Sequence, residues 1–434
     1  MREEDFRHVI ADWSNKELPA VISRDVRVDI SADKVIVIAG IRRAGKTYLV
    51  FDMIKELLKD GIGRSNILYV NFDDERLRGM DANDLNTMLD VFNELSAPDM
   101  KKKAYLFLDE IQEVKDWEKW VRRIYETKKY KVIITGSSSK LLSAEIATSM
   151  VGRSISYLLY PFSFSEFLAA KNLKIRSTTL YTDISAVNRY LKEYLVFGGF
   201  PELAFDMSED LKLRVLSSYY NAILHRDIVD RFRISDPNSL VTVFRYIAST
   251  YSKSFSSSKM YNYFRSIGMK ISKKTLSNFV KYGESVFLFS QLYQLSRGFK
   301  RSYQSRKKMY LTDTGIAKLF ESETQYGRLL ENMVYVELLR RKEARQSVDI
   351  NFVDDEGEVD FIVSEKGRII DAIQVSYELN QENSEREIKP LLRLCKRFNL
   401  KAAKIITFDV NKEDNVEGIK LSILSFPRWA LQAR

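Results

Sequence analysis

The residues Gly40–Thr47 read GIRRAGKT and fit the spacing G-x-x-x-x-G-K-[ST] at every fixed position. Gly40 and Gly45 let such a loop wrap so that successive backbone N–H groups point at one anion, with Ala44 inside the same wrap. Lys46 then reaches the β- and γ-phosphates of a nucleoside triphosphate, and Thr47 offers its hydroxyl to Mg²⁺. Further along, AYLFLDE ends an apolar run in Asp109 and Glu110. An Asp at a strand tip can hold the hydration shell of that Mg²⁺, and a neighbouring Glu can orient or deprotonate the attacking water. VIITGSSS closes another run in hydroxyls, so that Thr135, Ser137 or Ser138 can contact the γ-phosphate or the water, or else cap the next helix. Arg153, in MVGRS, is a candidate for neutralising transition-state charge in its own subunit or a neighbour's. The expected cofactors are ATP and Mg²⁺.

This chemistry needs a strand before the loop, a helix after it, and a second strand to deliver the carboxylates. The sequence supplies all three. KVIVIAG is a β-branched run suited to a buried parallel strand. From Thr47 to Leu58 the apolar residues Leu49, Met53, Ile54 and Leu57 fall at helical spacing, so the helix aims its positive N-terminus at the bound anion. NILYVNFDD, KAYLFLDE and YKVIITGS are further strands, with amphipathic stretches such as 116–126 between them. Strands alternating with helices predict an α/β fold with a parallel sheet covered on both faces. Residues 161–236 read as helices at Phe164–Ala170, Val187–Phe197 and Leu211–Ile223, with a tight turn at GGFPE. Residues 323–434 return to α/β: helices at Arg328–Arg341 and Glu385–Phe398, strands at Asp349–Phe352, Glu358–Val363, Ile369–Val375 and Ala403–Thr407.

Length and composition limit the alternatives. A chain of 434 residues suggests about three domains. Mean hydropathy is −0.26, and no apolar run reaches the roughly 18 residues of a membrane span. The start, MREEDFRHVIADW, lacks the apolar segment of a secretory signal. One cysteine, Cys395, cannot form an internal disulfide, and with only His8 and His225 it cannot build a Cys/His zinc site. The expectation is a cytoplasmic protein without membrane contact. Its net charge of +10 suits a polyanionic partner.

GIRRAGKT, LFLDEIQEV, ITGSSSKLL, the pair Gly152-Arg153, PFSFSEFL and GGFPE occur in that order, and QVSYEL follows near the end. In these motifs the chain resembles the archaeal and bacterial AAA+-like ATPases that carry a C-terminal restriction-endonuclease-like domain. The resemblance implies a RecA/AAA+-like core over 34–165 after an N-terminal segment at 1–33, a helical lid at 166–236, a winged helix at 237–322 and a nuclease-like domain at 323–434.

Within the expected winged helix, Ser258–Ile267 is one helix and Lys273–Tyr282 the recognition helix. FLFSQLYQL and KKMYLTD pair as wing strands. Between them RGFKRSYQSRKK carries Arg297, Lys300, Arg301, Arg306, Lys307 and Lys308 with no acid. With Lys273 and Lys274 at the recognition-helix start, these cations are the expected contacts to DNA phosphates and bases.

Nucleases of the PD-(D/E)xK type hold metal with a helix Glu, a strand Asp, and a Glu two residues before a Lys on the next strand. The corresponding residues here are Glu331, Asp360, Gln374 and Ser376. Gln374 can still offer a carbonyl oxygen to a metal, but Ser376 cannot supply the lysine's charge. The expectation is therefore a nuclease fold with little or no cleavage, unless Lys366, Lys389 or Lys396 substitutes. The leading function is a DNA-associated ATPase, with a homo-oligomer possible in this class. The alternatives are a STAND-like regulatory switch that binds protein partners, and an ATP-gated metal-dependent nuclease.

Overall fold

The alternating apolar strands of the first third condense into one sheet. In the structure, a computed structural model, residues 2–99, 101–142, 150, 152–176, 178–295, 306–355 and 357–432 are described. Two units form: Met1–Tyr160 with Ser285–Phe287, and Pro161–Glu284 with Leu288–Arg434.

In the first unit, β1 (Val35–Ala39), β2 (Ile67–Asn71), β3 (Ala104–Asp109), β4 (Tyr130–Gly136) and β5 (Ser154–Leu158) pair in the order β2-β3-β4-β1-β5. Every pairing is parallel. Side chains alternate across a strand, so each strand feeds two cores. Val35, Val37, Leu68, Val70, Leu106 and Leu108 face one cluster, while Ile36, Ile38, Ile67, Tyr69 and Phe107 face the other. Helix α2 (Lys46–Lys59) covers the second face with Leu49, Val50, Met53, Ile54 and Leu57. The first face is covered by α3 (Asp84–Ser96) and α4 (Trp117–Glu126), together with α1 (Arg2–Asn15).

The segment 1–33, set apart on sequence, is part of this unit. Phe6 and Ile10 of α1 are fully buried in the first cluster, and the Trp13 indole donates to the Ile67 carbonyl at 2.7 Å. Strand β5, absent from the sequence reading, forms a half-buried edge.

The second unit opens with α5 (Phe164–Ala170), whose Ser163 and Glu166 make a reciprocal capping box, followed by α6 (Ile184–Phe197) and α7 (Glu209–Ala222). Next come α8 (Pro237–Ser249), α9 (Ser257–Ser266) and α10 (Lys273–Ser285). A three-stranded sheet in the order β6-β8-β7 uses β6 (Ser254–Phe255), β7 (Phe289–Tyr293) and β8 (Lys307–Leu311), all antiparallel.

Then α11 (Tyr326–Ala344) leads into β9 (Val348–Asp354), β10 (Glu358–Glu365), β11 (Arg368–Val375), α12 (Gln381–Phe398), β12 (Ala402–Thr407), β13 (Lys412–Val416), β14 (Ile419–Ser425) and α13 (Phe426–Leu431). These strands make a mixed sheet, β13-β14-β12-β11-β10-β9, in which β11, β12 and β14 run parallel. The crossover helix α12 buries Leu391, Leu392, Leu394 and Cys395 against Ile362, Ala372 and Ile405. The α11 residue Asn332 bonds both the N–H and the carbonyl of Leu311 at 2.8 Å, which ties this helix to β8. No described helix is long and apolar enough to cross a membrane.

Candidate functional site

Strand order places the first site. β1 and β3 are not neighbours, because β4 lies between them. Their C-terminal ends therefore flank a crevice, the position at which open parallel sheets bind ligands. The loop that leaves β1 is held tightly. A Cβ on Gly40 would stand 2.2 Å from the Leu159 carbonyl oxygen, and Gly45 has φ +93°. Gly40 N–H donates to the Gly136 carbonyl at 3.3 Å, which links the loop to the end of β4.

The side chains converge there. Thr47 Oγ1 donates to Asp109 Oδ2 at 2.7 Å, and the Tyr69 hydroxyl reaches the same oxygen at 3.0 Å. The Thr135 hydroxyl bonds the other oxygen of Asp109 and accepts the Glu110 N–H at 3.1 Å. Lys46, only 4% exposed, lies 3.3 Å from Glu110 and donates to the carbonyls of Gly40 and Ile41 at 3.2 and 3.4 Å. Burial pushes the Asp109 carboxyl up, and the adjacent Glu110 charge adds to this, against the hydroxyls and Lys46. For Glu110 burial also acts upward, but Lys46, Gln112 and Arg42 outweigh it and hold the carboxyl below its ordinary value. At neutral pH Glu110 is an anion facing a cation.

Three features of the site escaped the sequence reading. Gln112 donates its amide to Glu110, lies 3.5 Å from the buried Ser137 hydroxyl, and has a buried carbonyl oxygen with no hydrogen-bond partner among the described residues. Tyr69 was read only as a strand residue. Arg24, in the extended chain after α1, donates to the Ala44 carbonyl at 2.9 Å and to the Tyr160 carbonyl at 2.7 Å, and so braces the loop from behind. Nothing local marks an arginine in an extended segment for this work. The Arg153 expectation needs correction within the subunit: it precedes β5 at the opposite end of the sheet from the loop, and it pairs with Glu126 at 2.7 Å.

The basic stretch is redistributed. Arg297, Lys300 and Arg301 lie outside the described residues. Lys273 and Lys274 are exposed at the first turn of α10, and Lys307 lies over the Tyr293 ring. Arg306 is salt-bridged to Asp354. Lys308 is not an open wing cation: it is 2% exposed and bonds Glu331 at 2.8 Å, Asp360 at 3.1 Å, and Glu358. The strand alternation that puts Lys308 and Tyr310 on one face turns both toward α11, where the Tyr310 hydroxyl donates to Glu331 at 2.6 Å.

The predicted metal set also changes. Glu331, Glu358 and Asp360 offer carboxylate oxygens within 4.8 Å of one another. Gln374 is committed elsewhere: its amide nitrogen donates to Glu387 at 2.7 Å and its oxygen accepts the Asp360 N–H at 3.3 Å. The Ser376 hydroxyl donates to the Glu378 carbonyl. Lys389 and Lys396 pair with Glu385 and Glu417, so the lysine in this cluster is Lys308 from β8. Burial first, then Asp360, push the Glu331 carboxyl up to about 7, against the pull of Lys308.

The parallel sheet, its loop and the paired Asp109 and Glu110 define a P-loop nucleotide-binding domain, and residues 32–168 match the family model described as an AAA domain. Residues 188–325 and 326–428 match two domains of unknown function, DUF8612 and DUF4143. The chain is 34% identical to an uncharacterised protein of Methanocaldococcus jannaschii over 98% of its own length and 95% of that protein's. It is 31% identical to an uncharacterised protein of Haemophilus influenzae, covering 92% and 95%. The chain belongs to the family of these proteins. Among solved structures it is similar to the Walker-type ATPase of Pyrococcus abyssi, with 16% identity, 74% and 94% coverage and a TM-score of 0.37. It is also similar to AMPPCP-bound DnaA from Aquifex aeolicus, with 13% identity, 79% and 89% coverage and a TM-score of 0.25.

Proposed function

We propose that this protein hydrolyses ATP at the crevice between β1 and β3 and acts on DNA through its second unit. The observation that carries the hydrolysis is the crossed pairing of Thr47 with Asp109 and Lys46 with Glu110. One pair suits metal coordination and the other suits phosphate charge and water activation. The donor set of hydroxyl and carboxylate fits Mg²⁺; Thr47 and Asp109 would hold the ion, which would supply charge neutralisation at the phosphates. The backbone of Gly40–Thr47 cradles the phosphates. Lys46 transfers from Glu110 to the phosphate oxygens. Glu110, still oriented by Gln112, takes a proton from the attacking water as oxygen bonds to the γ-phosphorus. The bond to the β–γ bridging oxygen breaks, leaving ADP and inorganic phosphate. Ser137 acts through Gln112. Arg153 is left for a neighbouring subunit's site in an oligomer.

For DNA, we read α9, α10 and the β6-β8-β7 sheet as a winged helix, with the lid in the helices before it. Lys273 and Lys274 at the start of α10 support this reading, since both are exposed. The test is ATP turnover with and without duplex DNA at two salt concentrations. Stimulation that weakens with salt is expected. Neutralising Lys273, Lys274 and Lys307 together should lower the log–log salt slope by roughly 0.9 for each lost phosphate contact. An unchanged slope and no stimulation would leave a switch that acts on protein partners.

A second reading is favoured by Lys308. It brings to Glu331 and Asp360 the positive charge that Ser376 lacks, which supports metal-dependent phosphodiester cleavage in a PD-(D/E)xK-type domain, with Glu358 as the third carboxylate. Incubation of supercoiled DNA with Mg²⁺ or Mn²⁺ tests it. Cleavage that Asp360→Ala abolishes would support this reading, and intact DNA would refute it.

A further inference from the structure

The second unit holds a cleft of about 800 Å³ between α6, the start of α7 and the segment leading into α11. That volume falls within the range of small-molecule sites, roughly 300–1,000 Å³. Its walls carry five cationic side chains, Lys171, Arg189, Lys192, Lys212 and Lys318, against three carboxylates, Glu193, Asp206 and Glu209. The imbalance is greatest at the base. The side chains of Lys171 and Lys212 are 7% and 5% exposed, and both bond the same oxygen of Glu193. The other carboxylate near Lys171, Asp206, is 3.6 Å away and fully solvated. Two buried ammonium groups thus share one partly exposed carboxylate, and a buried cation without its own counter-charge is costly.

Nothing nearby corrects the surplus. Arg189 and Lys192 lie on the face of α6 that also carries Glu193, at the three- and four-residue spacing of a helix. Among the described residues, neither they nor Lys318 has a carboxylate within ion-pair distance. Lys318 donates instead to the Thr324 hydroxyl at 3.3 Å.

We propose that this cleft binds a small molecule carrying two or more phosphate groups, at a site distinct from the P-loop. A phosphate seated at the base supplies the second anion for Lys171 and Lys212, and the three unpaired cations of the rim take a second phosphate. The two recessed ammonium groups distinguish the site from a nucleic-acid groove, whose phosphates are met by exposed cations. Most of the cleft's lining lies within 166–236, the segment read as the helical lid, with Lys318, Thr324 and Tyr326 closing it.

The test is calorimetric titration of the full-length Lys46→Ala protein with inorganic pyrophosphate, in which the P-loop no longer contributes. One equivalent should bind, and binding should persist at about 0.15 M salt, where exposed charges are largely screened. Adding Arg189→Gln, Lys192→Gln and Lys318→Gln should weaken binding at least tenfold, a change of about 1.4 kcal/mol. These three positions are outside the ion pairs and make only ring contacts and one hydrogen bond, so the unfolding midpoint should move little. Glu193→Gln should have the opposite effect and tighten binding, because both buried lysines then lack their carboxylate. Three results would overturn the proposal: no heat with pyrophosphate, heat unaffected by the triple substitution, or binding of a single-stranded oligonucleotide in place of pyrophosphate.

Discussion

Two of the buried lysines, Lys46 and Lys308, organise their charged sites in opposite ways. Lys46 has one carboxylate, Glu110, and two backbone carbonyls at the edge of hydrogen-bond range. Lys308 has three carboxylates and a tyrosine beside the first of them. A cation held by a few long contacts can exchange partners when an anion arrives. One surrounded by carboxylates is a fixed part of the packing. A buried lysine is therefore poised to take an incoming anion only when its partners leave it something to gain.

Four experiments break or sharpen this contrast. The largest effect is expected from Glu110→Gln, which preserves shape and removes the base. ATP should still bind, and turnover should fall by about 10²–10⁴-fold, the usual cost of losing a general base. A wild-type rate in a steady-state phosphate-release assay would remove Glu110 from the mechanism.

Next is Lys308→Met, which keeps the volume and strips the charge from three carboxylates. Leaving buried charges unpaired costs about 3–5 kcal/mol, so the denaturation midpoint of the second unit should drop clearly. Lys46→Met should leave the stability of the first unit nearly unchanged while abolishing nucleotide binding. Equal losses of stability would erase the contrast.

The third is a pH dependence. In the native state the Glu331 carboxyl lies at about 7, against 4.5 for the free group. The folded protein thus binds a proton more tightly than the unfolded chain. Stability from this group is present in full below pH 4.5 and is lost as pH rises through 7. Asp313, pushed up by burial to about 6 from 3.8, adds the same trend at lower pH. Urea titrations at intervals from pH 5 to 8 should show stability falling, and Glu331→Gln should flatten the portion above pH 6. A rising curve in the wild type would contradict the assignment.

The smallest effect belongs to Arg24→Ala. Loss of its two contacts to backbone carbonyls should loosen the phosphate loop by about 1–3 kcal/mol. ATP affinity should weaken by roughly tenfold, with little change in the turnover number. A fall in turnover at unchanged affinity would place Arg24 in the chemistry instead of the support.

The nucleotide site was legible because each of its parts is local. A glycine loop, a β-branched strand before it and an acidic strand end after it announce themselves within a few residues. The helix at Phe164–Ala170 was read with the bounds it has, and the structure adds the capping box of Ser163 and Glu166 at its start. What sequence could not show is what non-neighbouring segments do together. Lys308 looked like the last cation of a basic run; only the pairing of β8 with β7, and the bonds from Asn332 of α11, turn it inward. Arg24 reaches Ala44, 20 positions further on, past the whole of β1. The edge strands β5 and β13 were missed because they lack a strong apolar pattern: β13 reads KEDNV, and β5 is half-buried throughout; the interior strand β14 was missed with them. Gln374 was placed correctly in its strand, but its partner Glu387 lies on the following helix.

The Lys46–Glu110 pair has a consequence for protons. While Lys46 stands beside it, Glu110 is held below its ordinary value. When the lysine leaves for a phosphate, that restraint goes, and the incoming negative charge acts in the opposite direction. On the proposed mechanism the carboxylate becomes more basic just as its water arrives, so the empty site is self-quenching and the filled one is armed by its own substrate.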